Sequence, residues 1–573
     1  MKNEYIDKTL PKPLLEAYQE AMAERDLRIA GLEREKSQFD FERTEFSQRN
    51  VKLDAEIKGL KDNAFLPQVE RLISVWRNRN RLSEYQAPVF RDDPVYGKFQ
   101  IDNRLLPVFF HPLVQRLNYI RQLSFAYLIF PSASHTRLSH TLGVAKNAQA
   151  AIRAMFDRNC VYTSSGTERI SSTMGEKERE RFSLKTQLCA LLHDVGHGPF
   201  GHALDTLIPY IDAGGNKDIP DKQFSLKYAE EYFSEEIKQL GFSVDEILCV
   251  LDKERRIDLQ GYDVLIPDLI DSAGDVDRMD YLVRDAHMTG LGVGYSKPEA
   301  LIEHMCPFRG KDGNVNVTFE ESALPHLENM LYARDIMYIN CYEHPRKVCA
   351  ERLLVRLAKH LLDMALTKEA LMMLADGQLL SILSLLLRDG TAEGECLRSL
   401  VENRTFSVQR KYRLSRMESS KRGPEPGRAQ APEEQPSALS DTTFNDELNT
   451  EIEGWYKLRP KKHNLKQVFI DQPKSWEERI CADAEVPASE RWKVVVTVPA
   501  YEAKQERESA VRLLYRTKSG YACKELFEAS DVMKAVVTNL IPSREVIRVL
   551  VSEEMSQPLT LRVGEAADSL FMR

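Results

Sequence analysis

The chain lacks several features that would place it at once. Nowhere in its 573 residues does an apolar run approach the ~20 residues needed to cross a bilayer. The opening Met-Lys-Asn-Glu-Tyr-Ile-Asp carries no apolar signal region. Nine cysteines are scattered singly between Cys160 and Cys523 with no C-x-x-C pair, which excludes a disulfide framework or a thiolate zinc knuckle. These absences predict no membrane partner and reduced thiols in a cytoplasmic setting. Excess positive charge is missing too: the net charge is −8, which argues against a broad, sequence-independent grip on nucleic acid. A local basic pocket stays open, because Arg137, Arg278, Arg284, Arg334, Arg346 and Lys347 lie near the motifs described below.

An apolar fraction of 43% is ample for a large core. Residues 1–64 read as a polar helix in which Leu32, Phe39, Phe46, Leu53 and Leu60 recur every seven residues. With these as d positions, the a positions are Ile29, Lys36, Arg43, Asn50 and Ile57, a seam with a polar middle. That pattern predicts a coiled coil, hence a homo-oligomer or a partner coil; the alternative is one helix folded onto the core. Residues 65–415 read as a predominantly helical domain, with Arg158–Arg181 as an exposed polar loop or insertion. Residues 416–441 are rich in Pro, Ser, Glu and Gly and read as a disordered linker. Residues 442–573 hold β-like runs at Trp492–Pro499 and Glu545–Ser552, predicting a small α+β lobe. The expected fold class is therefore mainly α.

The chemistry concentrates in Leu191-Leu192-His193-Asp194-Val195-Gly196-His197-Gly198-Pro199-Phe200-Gly201-His202. Imidazole and carboxylate on adjacent residues can share one divalent metal. A lone His-Asp pair abuts by chance on many surfaces and binds nothing. Here His140 opens an amphipathic helix upstream, and Asp275-Val276-Asp277-Arg278-Met279-Asp280-Tyr281 follows downstream. Two histidines and two carboxylates suit Fe(II), Mn²⁺, Ni²⁺, Zn²⁺ or Mg²⁺ and leave positions open for water and phosphate oxygen.

The ordered set His140, His193-Asp194, Asp277 reads as the H…HD…D pattern of HD-domain phosphohydrolases. Three further blocks narrow the resemblance. Tyr119-Ile120-Arg121-Gln122-Leu123 … Phe130-Pro131-Ser132-Ala133-Ser134-His135-Thr136-Arg137 is one, the His193–His202 loop a second, and Arg334 … Tyr338 … Tyr342-Glu343-His344 the third. Over roughly residues 95–415 the chain resembles the HD-domain deoxynucleoside triphosphate triphosphohydrolases, the bacterial dGTPases and vertebrate sterile-alpha-motif dNTPases. The resemblance implies an HD helical core spanning 65–415 and an enzyme releasing deoxynucleoside and triphosphate from a dNTP, dGTP among the candidates. It implies His140, His193, Asp194 and Asp277 as metal ligands. His197 and His202 would approach the α-phosphate, with Asp205 orienting a catalytic histidine. Arg137, Arg278 and Arg334 would hold phosphates; Arg278 stands where relatives commonly carry lysine. Tyr281, Asp285 and Tyr342 would surround the deoxyribose, Gln122 would face the 3′-hydroxyl, and Leu123 would lie beside the base.

One departure stands out. Relatives carry a further catalytic histidine about fifteen residues beyond the acid matched by Asp205, whereas this chain reads Pro220-Asp221-Lys222-Gln223-Phe224-Ser225. Either His202 serves alone, or Asp221 substitutes, or the substrate differs. Two alternatives therefore stay open: an HD phosphodiesterase or nuclease on oligonucleotides or signalling nucleotides, and a non-hydrolytic nucleotide sensor or scaffold.

Overall fold

The computed structural model describes residues 89–205, 207, 220–293, 297–364, 366–387, 390–404, 406–413, 464–497, 511–535 and 546–571. The heptad segment and the 416–441 linker lie outside the described residues. No described helix is long and apolar enough to cross a membrane.

The described chain is mainly helical, as its composition and motifs predict. A hairpin of β1 (Val89–Asp93) and β2 (Gly97–Gln100) opens it. Four helices carry the motifs: α1 (Arg137–Asp157), α2 (Glu176–Leu192), α3 (Pro220–Glu231) and α4 (Val276–Thr289). Helix α1 starts where the Thr136 hydroxyl accepts the Ser139 N–H. Helix α4 starts at Asp275, whose carboxylate accepts the Arg278 N–H at 2.7 Å, and stops at Gly290 in the left-handed region. The buried faces of α1 and α2 supply Val144, Ala148, Ala151, Ile152, Leu188, Leu191 and Leu192 to the main core. Helix α5 (Leu324–Met337) continues into a π-helical turn, Tyr338–Tyr342, and α6 (Pro345–Met364) follows.

A six-stranded sheet flanks the helices in the order β10-β9-β6-β5-β3-β4. Its strands are β3 (Val161–Thr163), β4 (Gly166–Glu168), β5 (Met305–Arg309), β6 (Val315–Glu320), β9 (Arg512–Arg516) and β10 (Tyr521–Glu525). Three more strands, β7 (Phe406–Arg413), β8 (Val494–Thr497) and β11 (Val546–Ser552), form a second sheet in the order β7-β11-β8. Helices α7 (Asn464–Asp483) and α8 (Gln557–Phe571) share a core with it, through Trp476, Ile480, Val494, Val549, Val563 and Ala567.

Two features depart from the sequence reading. Residues 158–181 are not a plain exposed loop: β3 and β4 form a hairpin, and α2 already begins at Glu176. On its other edge β3 pairs in parallel with β5, Tyr162 opposite Phe308, so a distant strand ties the hairpin into the sheet, which the local sequence does not advertise. Sheet pairing also runs across the boundary drawn at residue 415. Strand β7 pairs with β11, and β9 pairs in parallel with β6, Phe319 opposite Leu513.

Candidate metal centre

Three elements bring the motif residues together. His140 sits one turn into α1, His193 and Asp194 follow the last residue of α2, and Asp277 lies in the first turn of α4. Close backbone approach requires glycine at two places. A Cβ at Gly143 would overlap Asp280 Oδ1, so α4 reaches α1 only because that side chain is missing. A Cβ at Gly196 would overlap backbone atoms of Ser225 and Asp221, so α3 packs directly on the His193–His202 loop. The Gly196 N–H donates to Ser225 Oγ at 2.9 Å, and that hydroxyl donates to the His193 carbonyl at 3.0 Å.

The four expected ligands converge. His140 Nε2 lies 2.9 Å from Asp277 Oδ1 and 3.8 Å from Asp194 Oδ2. His193 Nε2 lies 3.5 Å from Asp194 Oδ1 and 3.7 Å from Asp277 Oδ1. Each imidazole is anchored from behind: His140 Nδ1 by Asp280 Oδ2 at 2.8 Å, His193 Nδ1 by the Ala190 carbonyl at 2.7 Å. Both acceptors require a proton on Nδ1, which turns Nε2 inward, the arrangement that metal-binding histidines use. His193 Nε2 is buried without a hydrogen-bond partner among the described residues. An unpaired buried nitrogen costs about 1–3 kcal/mol, which a bound cation would remove. His140, His193 and Asp194 bring ligand atoms close enough together to hold one metal ion, and Asp277 adds a carboxylate 2.9 Å from His140, a donor set that fits a divalent metal.

The charges agree with that use. Burial opposes ionisation of Asp194, but His193, His197 and Arg137 hold its carboxyl well below the ordinary range. Burial likewise opposes the charge on Asp277, and the hydrogen bond from His140, with the His193 imidazole close by, depresses its pKa strongly. Both acids are thus ionised and ready to ligate.

A second group lies beside the first. His197 Nε2 is 3.3 Å from Asp194 Oδ1 and 3.2 Å from Asp221 Oδ2. Its ring meets His202 edge-on at 4.7 Å between centroids, and His202 Nδ1 pairs with Asp205 Oδ2 at 2.7 Å. Burial and the nearby Arg137 push His197 down to about 4, so it is neutral at pH 7. For His202 the surrounding atoms oppose the charge, and Asp205 outweighs them and raises its pKa. Asp221 thus occupies the place beside His197 that the Pro220–Ser225 segment left open in the sequence.

The remaining expected residues surround these groups. Arg137 donates from Nη1 to Asp194 Oδ2 at 2.9 Å and lies flat against Gly201, whose φ of +55° and lack of a Cβ admit the guanidinium. Residues 120–123 run antiparallel to 135–137, the Gln122 N–H donating to the His135 carbonyl at 3.0 Å. That pairing brings Leu123 to the start of α1, together with Gln122, whose buried Oε1 has no partner among the described residues. Arg278 is buried with Nη1 unpaired among the described residues. Tyr281 stands 6.4 Å from the His140 ring and 6.3 Å from Tyr342. The Tyr342 hydroxyl donates to Asp285 Oδ2 at 2.7 Å, and Arg334 lies over the Tyr338 ring at 4.7 Å.

Several contributors were not singled out in the sequence. His135 pairs through Nε2 with Asp285 Oδ1 at 2.8 Å. Arg116 donates to the carbonyls of Val195 and His197 at 2.9 and 2.7 Å, bracing the loop. Asp376 accepts the Phe200 N–H at 2.6 Å and the Arg121 N–H at 3.0 Å, which holds Phe200 at a φ of 57°. Asp280 had a visible signal, since i, i+3 spacing puts it on one helix face with Asp277. The others depend on contacts far apart in sequence.

Residues 137–285 match the family model of the HD domain. Among curated proteins the chain is similar to an uncharacterized protein of Methanocaldococcus jannaschii, 29% identical over 277 residues, 48% of this chain and 49% of the relative. It is also similar to the deoxynucleoside triphosphate triphosphohydrolase SAMHD1 of Homo sapiens, 26% identical over 282 residues, 44% of this chain and 41% of the relative. The chain spans about half the length of the curated relatives it matches. Its fold is like that of a phosphohydrolase from Bacteroides thetaiotaomicron, with a TM-score of 0.56 at 19% identity, covering 82% of this chain and 100% of the other.

Proposed function

We propose that this HD-bearing chain is a metal-dependent phosphohydrolase that hydrolyses a dNTP at the α-phosphorus, yielding a deoxynucleoside and triphosphate. The observation that carries the reading is the grouping of His140, His193 and Asp194, with Asp277 beside both imidazoles, near the His135–Asp285–Tyr342 cluster. His140, His193, Asp194 and Asp277 would hold the cation. When bound, it supplies Lewis-acid polarisation of a phosphoryl oxygen and activation of water.

The chain's own groups do the rest. Arg137 and Arg278 neutralise charge on the phosphates, with Arg334 on the tail, the dominant requirement in phosphoryl transfer. His202, whose pKa Asp205 raises, donates to the departing 5′-oxygen. Neutral His197, held by Asp221, faces the α-phosphate as a hydrogen-bonding group. Tyr342, fixed by Asp285, and Tyr281 wall the sugar and crowd a 2′-hydroxyl, while Gln122 faces the 3′-hydroxyl and Leu123 the base.

The test is incubation of the protein with each dNTP and each candidate metal, with products resolved by chromatography. Inorganic triphosphate with unphosphorylated deoxynucleoside supports the reading; monophosphate with pyrophosphate overturns it. Asp194→Ala should lose bound metal and turnover together, and retained hydrolysis in a metal-free variant would sink the proposal. Asp221, a carboxylate where relatives carry histidine, favours a second reading, an HD phosphodiesterase acting on an oligonucleotide or signalling nucleotide. Cleavage of such esters without triphosphate release would select it.

A further inference from the structure

His140 is held by more than its immediate neighbour. Asp280 Oδ2, which accepts the His140 Nδ1–H, also accepts Arg284 Nε at 3.0 Å, and its Oδ1 accepts Arg284 Nη2 at 3.0 Å. The third guanidinium nitrogen, Nη1, donates to Asp93 Oδ2 at 2.9 Å. Asp93 lies at the end of β1, and its other oxygen caps the turn into β2, accepting the Val95 and Tyr96 N–H groups at 2.9 Å each. An unbroken series of charge-assisted bonds thus runs from the β1–β2 turn to the back of His140. Side chains of His140, Asp280 and Arg284 are at most 1% exposed, and that of Asp93 is 11% exposed.

Burying three formal charges is costly, several kcal/mol per ion, and apolar residues of the same volume would serve stability as well or better. The helices approach closely enough for the series only because position 143 has no side chain. A costly arrangement that ends on a metal-facing imidazole points to a task at that imidazole.

We propose that Asp93 is a positioning residue of the metal centre, acting through Arg284 and Asp280 to set how firmly His140 presents Nε2 to a cation. The inference rests on the metal reading above and extends the centre to the β1–β2 hairpin. With Asp93 ionised, the Arg284 charge is shared between two carboxylates, and Asp280 stays electron-rich toward the imidazole. Without it, Arg284 neutralises Asp280 alone, and the Nδ1–H bond that makes Nε2 a strong donor weakens. Removing a direct outer partner of a ligating histidine typically costs about 10–100-fold in metal affinity. One step further out, about three- to tenfold is expected.

The experiment is calorimetric titration of Mn²⁺ into the full chain after metal removal. Asp93→Asn keeps an oxygen to cap the turn and removes only the charge. Its Mn²⁺ dissociation constant should rise about three- to tenfold, and that of Asp280→Asn about 10–100-fold. Asp93→Glu, which keeps the charge, should recover most of the loss. The double variant Asp93→Asn/Asp280→Asn should bind as Asp280→Asn does, because both act along one path. A merely structural Asp93 would instead give additive losses. Mn²⁺ binding by Asp93→Asn within twofold of the parent, or additive losses, overturns the inference. Asp194→Ala separates the two claims: if it binds Mn²⁺ as the parent does, the metal reading itself fails. If it loses Mn²⁺ while Asp93→Asn does not, only the role of Asp93 fails.

Discussion

Replacing Gly143 by alanine is the sharpest single perturbation of this centre. In an ordinary helix the change stabilises by up to about 1 kcal/mol, since glycine is the poorer helix former. Here the new methyl would overlap Asp280 Oδ1 and press on Arg284 Nη2. If α4 backs away with its contacts intact, the overpacking costs about 1–3 kcal/mol. If the carboxylate is dislodged instead, it leaves His140 and Arg284, and breaking such a buried pair costs about 3–5 kcal/mol. Because Asp280 is fully buried and bonded through both oxygens, dislodging it is the costlier outcome, so α4 backs away and the net loss after the helix gain is about 1–2 kcal/mol. For a cooperative unit of about 150–250 residues, that lowers the melting temperature by roughly 2–8 °C. Differential scanning calorimetry of the metal-free protein reads the first effect, and Mn²⁺ titration reads the accompanying fall in affinity. A variant that melts at or above the parent temperature would refute the close-approach reasoning.

Two further outcomes follow from the same geometry. In the metal-free protein burial opposes the charge on His140, but Asp277 and Asp280 outweigh it and raise its pKa to about 10. Below that pH a cation must displace a proton, so metal affinity should climb as pH rises from about 6 to about 9, by up to about tenfold per unit. Proton release in calorimetry at several buffer ionisation enthalpies checks this; a pH-independent affinity contradicts it. Tyr342→Phe removes the hydroxyl held by Asp285 and opens space at the sugar. The kcat/KM preference for a deoxynucleotide over its ribonucleotide should fall about tenfold, steric rejection of a hydroxyl being worth ~10² at most. An unchanged ratio would remove Tyr342 from sugar selection.

The convergence of His140, His193, Asp194 and Asp277 was legible in sequence because each sits at a helix terminus or first turn beside an apolar stripe that fixes its orientation. Helix class and the strands at Val494–Thr497 and Val546–Ser552 were legible for the same reason, periodicity. What escaped was set by partners rather than pattern. The D-x-D-x-x-D spacing exposes three acids, but only packing against α1 distinguishes Asp277, facing His140 Nε2, from Asp280, facing Nδ1. Asp93, Arg116 and Asp376 reach the site across long stretches of chain, with no local signature. Strands β3 and β4 are only three residues each and lie in a polar stretch, and the β5 edge that ties them into the sheet is far away in sequence.

That edge-sharing sheet also imposes an order of events on synthesis. The four expected metal ligands have all been synthesised once α4 is complete, yet the sheet behind them has not. The β6 edge waits for β9, whose Leu513 is buried in the same core as Phe319. At about 5–20 residues per second, the roughly two hundred intervening residues take on the order of 10–40 s to arrive. Throughout that interval the Phe319–Glu320 end of β6 lacks its β9 partner and is open to any passing strand. A chain cut after residue 415 would keep that exposed edge for good, and chaperone capture or aggregation should mark nascent chains of that length.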